Sequence, residues 1–193
     1  MRRAVTPMRL VAGAFFLAVT AAGARAAALS PVIDPVRWQD DSAAIAGALG
    51  PRAIHLSPPI VFGDSYVDVA IRAQMLGGYR FVVYYQMDNT TRRLKRIMLE
   101  RQRHGANAKA FSAVITALTD DYGPPAQGTG AATSPGNGYQ AARGRVWYTD
   151  HIAIRAVFRD TTVEAGEGCI SGASAECGLT GHLYVQITPA PGS

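Results

Sequence analysis

The chain has 193 residues, of which 48% are hydrophobic, and its formal net charge is +5. Four arginines (Arg2, Arg3, Arg9 and Arg25) fall in the first 26 residues, and without that segment 15 basic and 14 acidic residues leave a net charge of +1. A chain this close to neutral has no global cationic field, which argues against nucleic-acid binding.

The first 26 residues have the pattern of a secretory signal peptide. A basic leader precedes an uncharged apolar run from Leu10 to Ala22, and the small residues of Ala24-Arg25-Ala26 follow. The run is too short to span a bilayer comfortably, so we expect cleavage after Ala26 and export to the periplasm or the medium. No later stretch is long and apolar enough to predict an integral membrane span.

The segment after the cleavage site predicts little regular structure. Ala27–Pro35 contains two prolines and no periodicity, which indicates an extended arm. Asp40-Asp41-Ser42 can cap a short helix over Ser42–Leu49, and Ser57-Pro58-Pro59 is expected to break the chain. We therefore divide the chain into a signal peptide over 1–26, an arm and short helix over 27–57, an α+β domain over 58–189 and a tail over 190–193.

Alternating apolar residues then predict two strands, Tyr66–Ala73 and Tyr79–Asp88, joined by a turn at Leu76-Gly77-Gly78. The next segment returns as a third strand. Leu94 is out of phase with the later apolar residues of that strand, so we expect a β-bulge near Lys95-Arg96.

One long helix is predicted over Ala108–Tyr122, with Asn107 as its N-cap and Gly123 as its C-terminal stop. Its apolar residues repeat at helical spacing and form one stripe suited to a sheet. They are Phe111, Val114, Ile115, Leu118 and Tyr122.

The last third of the chain predicts a Gly-rich mobile loop over Gln127–Gly138, followed by strands in RVWYT, HIAIRAVFR and HLYVQIT. The loop lacks the Gly-Lys-Ser/Thr ending of a phosphate-binding loop. The predicted fold class is therefore α+β: an antiparallel sheet of hairpins with one long amphipathic helix packed on one face.

Cys169 and Cys177 are the two cysteines, nine residues apart counting both ends. In an exported protein a disulfide between them is the default expectation, and closing this loop would stabilise the fold by about 2.5 kcal/mol. A redox pair would need closer spacing and a helix N-terminus, and the sequence shows neither.

Three segments, YYQMD…LKRIMLE, FSAVITALTDDYGPP and the strand carrying Trp147, together resemble a loose group of small exported bacterial α+β envelope proteins. The resemblance covers Tyr79 to Phe158. It implies an aromatic strand, a helix that ends in Tyr-Gly-x-Pro and a Trp strand. Such modules serve many roles, so it implies no functional residue.

Ser65 lies in Phe-Gly-Asp-Ser, which resembles the nucleophile block of SGNH or GDSL hydrolases. Those enzymes also need an Asp-x-x-His base and a Gly-x-Asn-Asp oxyanion block. His151 and His182 are the candidate bases, but neither follows an aspartate at that spacing. We therefore interpret Gly63-Asp64-Ser65 as a turn that leads into a strand, and keep a small esterase as the alternative.

The strongest charge asymmetry is a basic cluster with only Glu100 against it. This predicted basic ridge consists of Arg92, Arg93, Lys95, Arg96, Arg101 and Arg103. It could bind an anionic lipid or lipopolysaccharide surface or an acidic envelope protein. Alternatively, its charges protect an edge strand from mispairing. Tyr84 and Val82, on the strand face opposite Phe81, could offer an apolar surface to a partner.

The leading hypothesis is thus a non-enzymatic binding or accessory protein of the cell envelope. A purely structural envelope module is the other non-enzymatic possibility. The four histidines are dispersed and none pairs with another at ligand spacing, so we expect no metal site, and no motif predicts a cofactor.

Overall fold

The computed structural model describes residues 27–101, 107–132, 142–160, 169–170 and 181–190. The predicted signal peptide, Arg103 and Cys177 lie outside these residues. Within the described ranges, no helix is both long enough and apolar enough to cross a membrane.

Eight strands form one antiparallel sheet with the order β1-β2-β3-β4-β8-β7-β6-β5. The strands are β1 Ile54–Phe62, β2 Ser65–Leu76, β3 Tyr79–Asp88, β4 Leu94–Arg101, β5 Gln127–Ala132, β6 Ala142–Tyr148, β7 Ile152–Asp160 and β8 Gly181–Pro189. The helices are α1 Ser30–Ile33, α2 Ser42–Leu49 and α3 Ala108–Tyr122, with a 3₁₀ turn at Gly50–Arg52. The predicted α+β class and the antiparallel sheet are confirmed.

The strand order shows two halves of the same design. Each half is a meander of four strands that follows a helix: α2 precedes β1 to β4, and α3 precedes β5 to β8. The last strands of the two halves, β4 and β8, pair antiparallel at the centre, where Leu99 lies opposite Val185. The edges of the sheet are therefore the first strands of the two halves, β1 and β5.

Alternation along the strands places one side of each strand in the core. On β3, Phe81, Val83, Tyr85 and Met87 are all buried, as the period-two pattern predicted. Leucine, valine and isoleucine at alternate positions of β8 extend the same core across the second half. The predicted bulge is also confirmed, because two residues of β4 (Lys95 and Arg96) take the place of one in the β3–β4 register.

All three helices contribute buried side chains to this core. The bounds of α3 match the prediction, and the Asn107 side chain accepts a hydrogen bond from the Ala110 N–H at 2.8 Å. The Phe111 ring stacks on that of Phe158 in β7, with 5.9 Å between centroids. At the other end of α3, the Trp147 indole donates to the Gly123 carbonyl at 2.9 Å.

The predicted extended arm is wrong. Ala27–Pro35 contains the short helix α1, because proline fits the first turn of a helix, where its missing N–H costs nothing. Leu29 and Val32 are fully buried, and the Tyr85 hydroxyl donates to the Val32 carbonyl at 3.1 Å. The arm is thus part of the hydrophobic core.

Two other segments, which the sequence predicted to lie outside regular structure, belong to strands. Ser57-Pro58-Pro59 lies inside β1, where the register with β2 is irregular between His55 and Ile60. Prolines are tolerated there because β1 is an edge strand and half of its backbone groups need no partner. The start of the predicted Gly-rich loop forms β5, the opposite edge; the remainder, 133–138, lies outside the described residues.

Candidate functional site

The face of the sheet turned away from the core carries an open apolar trough, with a cavity volume of about 410 Å³. Its lining residues come from three adjacent strands. They are Ile54, Leu56 and Ile60 of β1, Ala70 and Arg72 of β2, and Val82 and Tyr84 of β3. We call this surface the β1–β3 trough.

The trough exists because parts of β2 and β3 carry apolar side chains on the outer face as well as in the core. Opposite the buried Val83, the same strand presents Val82 and Tyr84, which are half-buried. Ala70, which pairs with Tyr84, is small and buried, so the tyrosine ring has room beside it. The exposed Arg72 is the single charged residue of the lining.

Polar residues border the trough on the central strands. Glu100 of β4 lies opposite Val82, and its carboxylate is 2.9 Å from the His182 Nε2 of β8. The His182 ring is also 5.3 Å from that of Tyr184. Burial, assisted by the negative charge of Glu100, raises the pKa of the Tyr84 hydroxyl. Tyr84 is therefore a neutral, amphipathic group at neutral pH.

The predicted basic ridge contacts acids from outside the cluster: Asp88 is nearby in sequence, whereas Asp64 is about 30 positions away. Asp64 forms an ion pair with Arg96 and another with Lys95, the latter at 3.2 Å. Lys95 also lies 3.0 Å from Asp88. The hydrogen bond from Arg96, and then that from Lys95, lower the pKa of Asp64 to about 2.

The other members of the ridge that the structure describes also contact neighbouring groups. Arg93 pairs with Asp41 at 3.5 Å. Arg92 and Arg101 stack over the rings of Tyr66 and Tyr79, 4.4 and 4.7 Å from the ring centroids. Glu100 is the one acid within this stretch of sequence, whereas in the folded chain acids from outside the stretch also contact its cations.

The edge-strand interpretation of the ridge is also wrong. Its strand, β4, lies between β3 and β8 near the middle of the sheet. A strand paired on both sides needs no charge to prevent mispairing. The cations of β4 instead connect it to the β1–β2 turn through Asp64, and the neighbouring Arg93 reaches the start of α2 through Asp41.

Ser65 begins β2 and is fully buried. Its Oγ accepts a hydrogen bond from Arg96 at 3.0 Å. The candidate bases lie elsewhere: His182 is on β8, beyond β3 and β4, and His151 is at the turn before β7. A nucleophilic serine needs a base within hydrogen-bonding reach, so the structure does not bring the three esterase candidates together.

The cysteine prediction is left open by the described residues. Cys169 lies in a described pair of residues, but Cys177 does not, so their disulfide stays a prediction. Among the described side chains, no three His, Cys, Asp or Glu residues are grouped as metal ligands.

Comparison of the chain with protein-family models, with curated proteins and with solved structures finds no match. The site must therefore be interpreted from its own geometry.

The sequence predicted an apolar surface at Tyr84 and Val82, but it did not predict the other residues that line the trough. The β1 residues were hidden because the two prolines of β1 were interpreted as a break. The sequence around Arg72 likewise gives no indication that this residue lies beside an apolar surface. Only the pairing of β1 with β2 brings these residues together.

Proposed function

We propose that this protein is a non-catalytic binding protein of the bacterial cell envelope. Its ligand site would be the β1–β3 trough, and its ligand an amphiphile with an apolar chain and an anionic group. The single observation that carries the proposal is an apolar surface of three strands with one exposed guanidinium, Arg72, among its lining residues.

The position of the core supports the choice of this face. The buried residues of α1, α2 and α3 belong to the core cluster on the opposite side of the sheet. We infer that α3 lies across that side as the amphipathic helix of the sheet. The trough, in contrast, is lined by strand residues and is open to solvent.

The chemistry of the lining supports the ligand class. Ile54, Leu56 and Val82 offer area for an apolar chain, where each buried CH₂ contributes about 0.8 kcal/mol. Arg72 offers a planar set of donors for a carboxylate or phosphate. The basic ridge is a weaker candidate for the anion, because three of its cations, Arg93, Lys95 and Arg96, already contact aspartates.

Export supports a location in the envelope but depends on the predicted signal peptide. The esterase alternative receives no support from the arrangement of Ser65, whose described polar contact is with Arg96.

Binding of dodecanoate, measured by isothermal titration calorimetry, tests the proposal. We expect saturable binding at one site. Arg72→Gln should weaken it about tenfold, the effect of one charge-assisted hydrogen bond. Tyr84→Ala should weaken both dodecanoate and an uncharged dodecyl glycoside. Arg155→Gln, an exposed arginine of β7 outside the trough lining, is the matched control and should change neither.

Two outcomes would count against the proposal. If dodecanoate does not bind, or if Arg155→Gln weakens it as much as Arg72→Gln does, the trough is not a site for anionic amphiphiles. A photo-crosslinker at position 84 provides the second test. If it captures an envelope protein, and Arg72→Gln abolishes the capture, the trough binds a protein and the proposed amphiphile ligand is wrong.

A further inference from the structure

A second groove lies at the junction of the N-terminal segment, the β2–β3 turn and α3, with a volume of about 720 Å³. Ala27 and Ala28 line one wall, Gln74 of β2 lies nearby, and Asp120 and Asp121 line the wall formed by α3. We call it the N-terminal groove. It is separate from the β1–β3 trough, and its role is independent of the proposed binding function.

The N-terminal segment is held in this groove by its backbone. The Ala28 N–H donates to Asp121 Oδ2 at 2.6 Å, a short charge-assisted hydrogen bond. The Ala28 carbonyl accepts from Gln74 Nε2 at 3.2 Å. Immediately after it, Leu29 is fully buried. Ala27 thus lines the same groove as Asp120 and Asp121, and the N–H of the next residue, Ala28, already contacts one of these carboxylates.

The two carboxylates are in an electrostatically unfavourable place. Asp120 and Asp121 lie in the last turn of α3, which contains no basic residue. The C-terminal end of a helix carries partial negative charge and favours a cation. The acidic environment extends to Tyr122: its burial first, and then the charges of Asp121 and Asp34, raise its pKa to about 12.

The predicted signal cleavage would supply a cation at this point. Hydrolysis of the peptide bond after Ala26 converts the Ala27 amide nitrogen into an α-amino group. Such a group is largely protonated at pH 7, because its pKa is about 7.7–8.0. The uncleaved chain has a neutral amide nitrogen at the same position.

We propose that the α-ammonium group of Ala27, created by signal cleavage, binds the carboxylates of Asp120 and Asp121 and thereby fastens the N-terminal segment to α3. Removal of the leader then stabilises the fold of the exported chain. The segment so fastened carries Leu29 and Val32, which are fully buried in the core.

A double-mutant cycle on the full processed chain tests this proposal. The chain that begins at Ala27 is released from a fusion by a protease that leaves no extra residue, and it is compared with the same chain acetylated at Ala27. Acetylation removes the charge and keeps the backbone intact. We expect the unfolding equilibrium constant in urea to rise about two- to fivefold on acetylation, as for a partly exposed ion pair.

Replacement of Asp120 and Asp121 is the second change in the double-mutant cycle. In Asp120→Asn/Asp121→Asn, which keeps a hydrogen-bond acceptor for Ala28, acetylation should leave the unfolding constant unchanged. In the control Asp150→Asn, at the exposed turn before β7, acetylation should have its full effect. Equal effects of acetylation in the acid-pair variant and the unchanged sequence would overturn the proposal. So would an intact mass showing that the exported chain does not begin at Ala27.

Discussion

At the scale of single residues, one indole ties a helix to a strand. Trp147 is only 1% exposed, and its Nε1 donates to the carbonyl of Gly123, just beyond α3. This contact gives a physical reason for a Trp strand to occur together with a helix that ends in Tyr-Gly-x-Pro. The glycine ends the helix, and its carbonyl needs the donor that the tryptophan provides.

Trp147→Phe tests this contact. We expect the free energy of unfolding to fall by about 1–2 kcal/mol, because the variant loses a partly buried hydrogen bond and some packed volume. Urea unfolding followed by circular dichroism measures the change. Tyr148→Phe, the exposed neighbour, should stay within about 0.5 kcal/mol of the unchanged protein. A similar loss in both variants would contradict the proposed role of the indole.

A second prediction for a single residue concerns the stability of the protein at acid pH. The pKa of Asp64 is lowered to about 2 by Arg96 and then Lys95, whereas an unfolded aspartate has its ordinary value near 3.9. A lowered folded-state pKa stabilises the protein above the unfolded pKa, and this stabilisation is lost as the pH falls towards 2.

Asp64→Asn should therefore reduce the dependence of unfolding free energy on pH between about 5 and 2. Urea titrations at several pH values measure that slope. Arg96→Gln should reduce it only in part, because Lys95 still pairs with Asp64, and the double variant should differ little from Asp64→Asn alone. An unchanged slope in Asp64→Asn would show that this pair contributes nothing to acid sensitivity.

At the scale of elements, the β2–β3 turn decides how closely α3 can approach. Gly77 has φ +58°, and a Cβ there would lie 2.6 Å from the Ala113 carbonyl oxygen of α3. The next residue, Gly78, also has positive φ, but a Cβ there would meet nothing within 4 Å. Gly77 is therefore required both for its backbone conformation and for close packing against α3, whereas Gly78 is required only for its backbone conformation.

Gly77→Ala should lower the free energy of unfolding by roughly 2–4 kcal/mol, since it combines left-handed strain with a clash against helix backbone. Gly78→Ala should cost roughly 1–2 kcal/mol, from the strain alone. Equilibrium urea unfolding measures both. Equal losses would mean that α3 does not lie against this turn.

At the scale of the whole molecule, the two four-stranded halves depend on each other through one strand pair. β4 and β8 come from different halves and pair over Ile97 to Arg101. Their core residues belong to a single cluster with the three helices. The centre of the sheet is thus the part whose opening would expose the most apolar surface.

Hydrogen exchange followed by mass spectrometry tests this arrangement. We expect amides of β3, β4, β7 and β8 to exchange most slowly, with protection near that of global unfolding, and those of the edge strands β1 and β5 to exchange fastest. Peptides from β4 that exchanged as fast as those from β1 would contradict the central position of the β4–β8 pair.

The sequence by itself determined the local elements of this protein. The alternation in β3, the stripe and caps of α3, and the bulge in β4 could all be predicted, because each depends on residues a few positions apart. The predictions made from the prolines of α1 and β1 were wrong. The effect of a proline depends on whether it lies in the first turn of a helix or in an edge strand, and the local sequence does not show this.

Only the tertiary structure decided which residues meet. Arg96 and Asp64 are 32 positions apart and Arg93 and Asp41 are 52 apart, so no local pattern showed that these residues are partners. The trough and the N-terminal groove likewise combine residues from separate elements. Periodicity fixes the face on which a side chain lies, whereas strand order and helix docking, which minimise exposed apolar area across the whole chain, fix its neighbours.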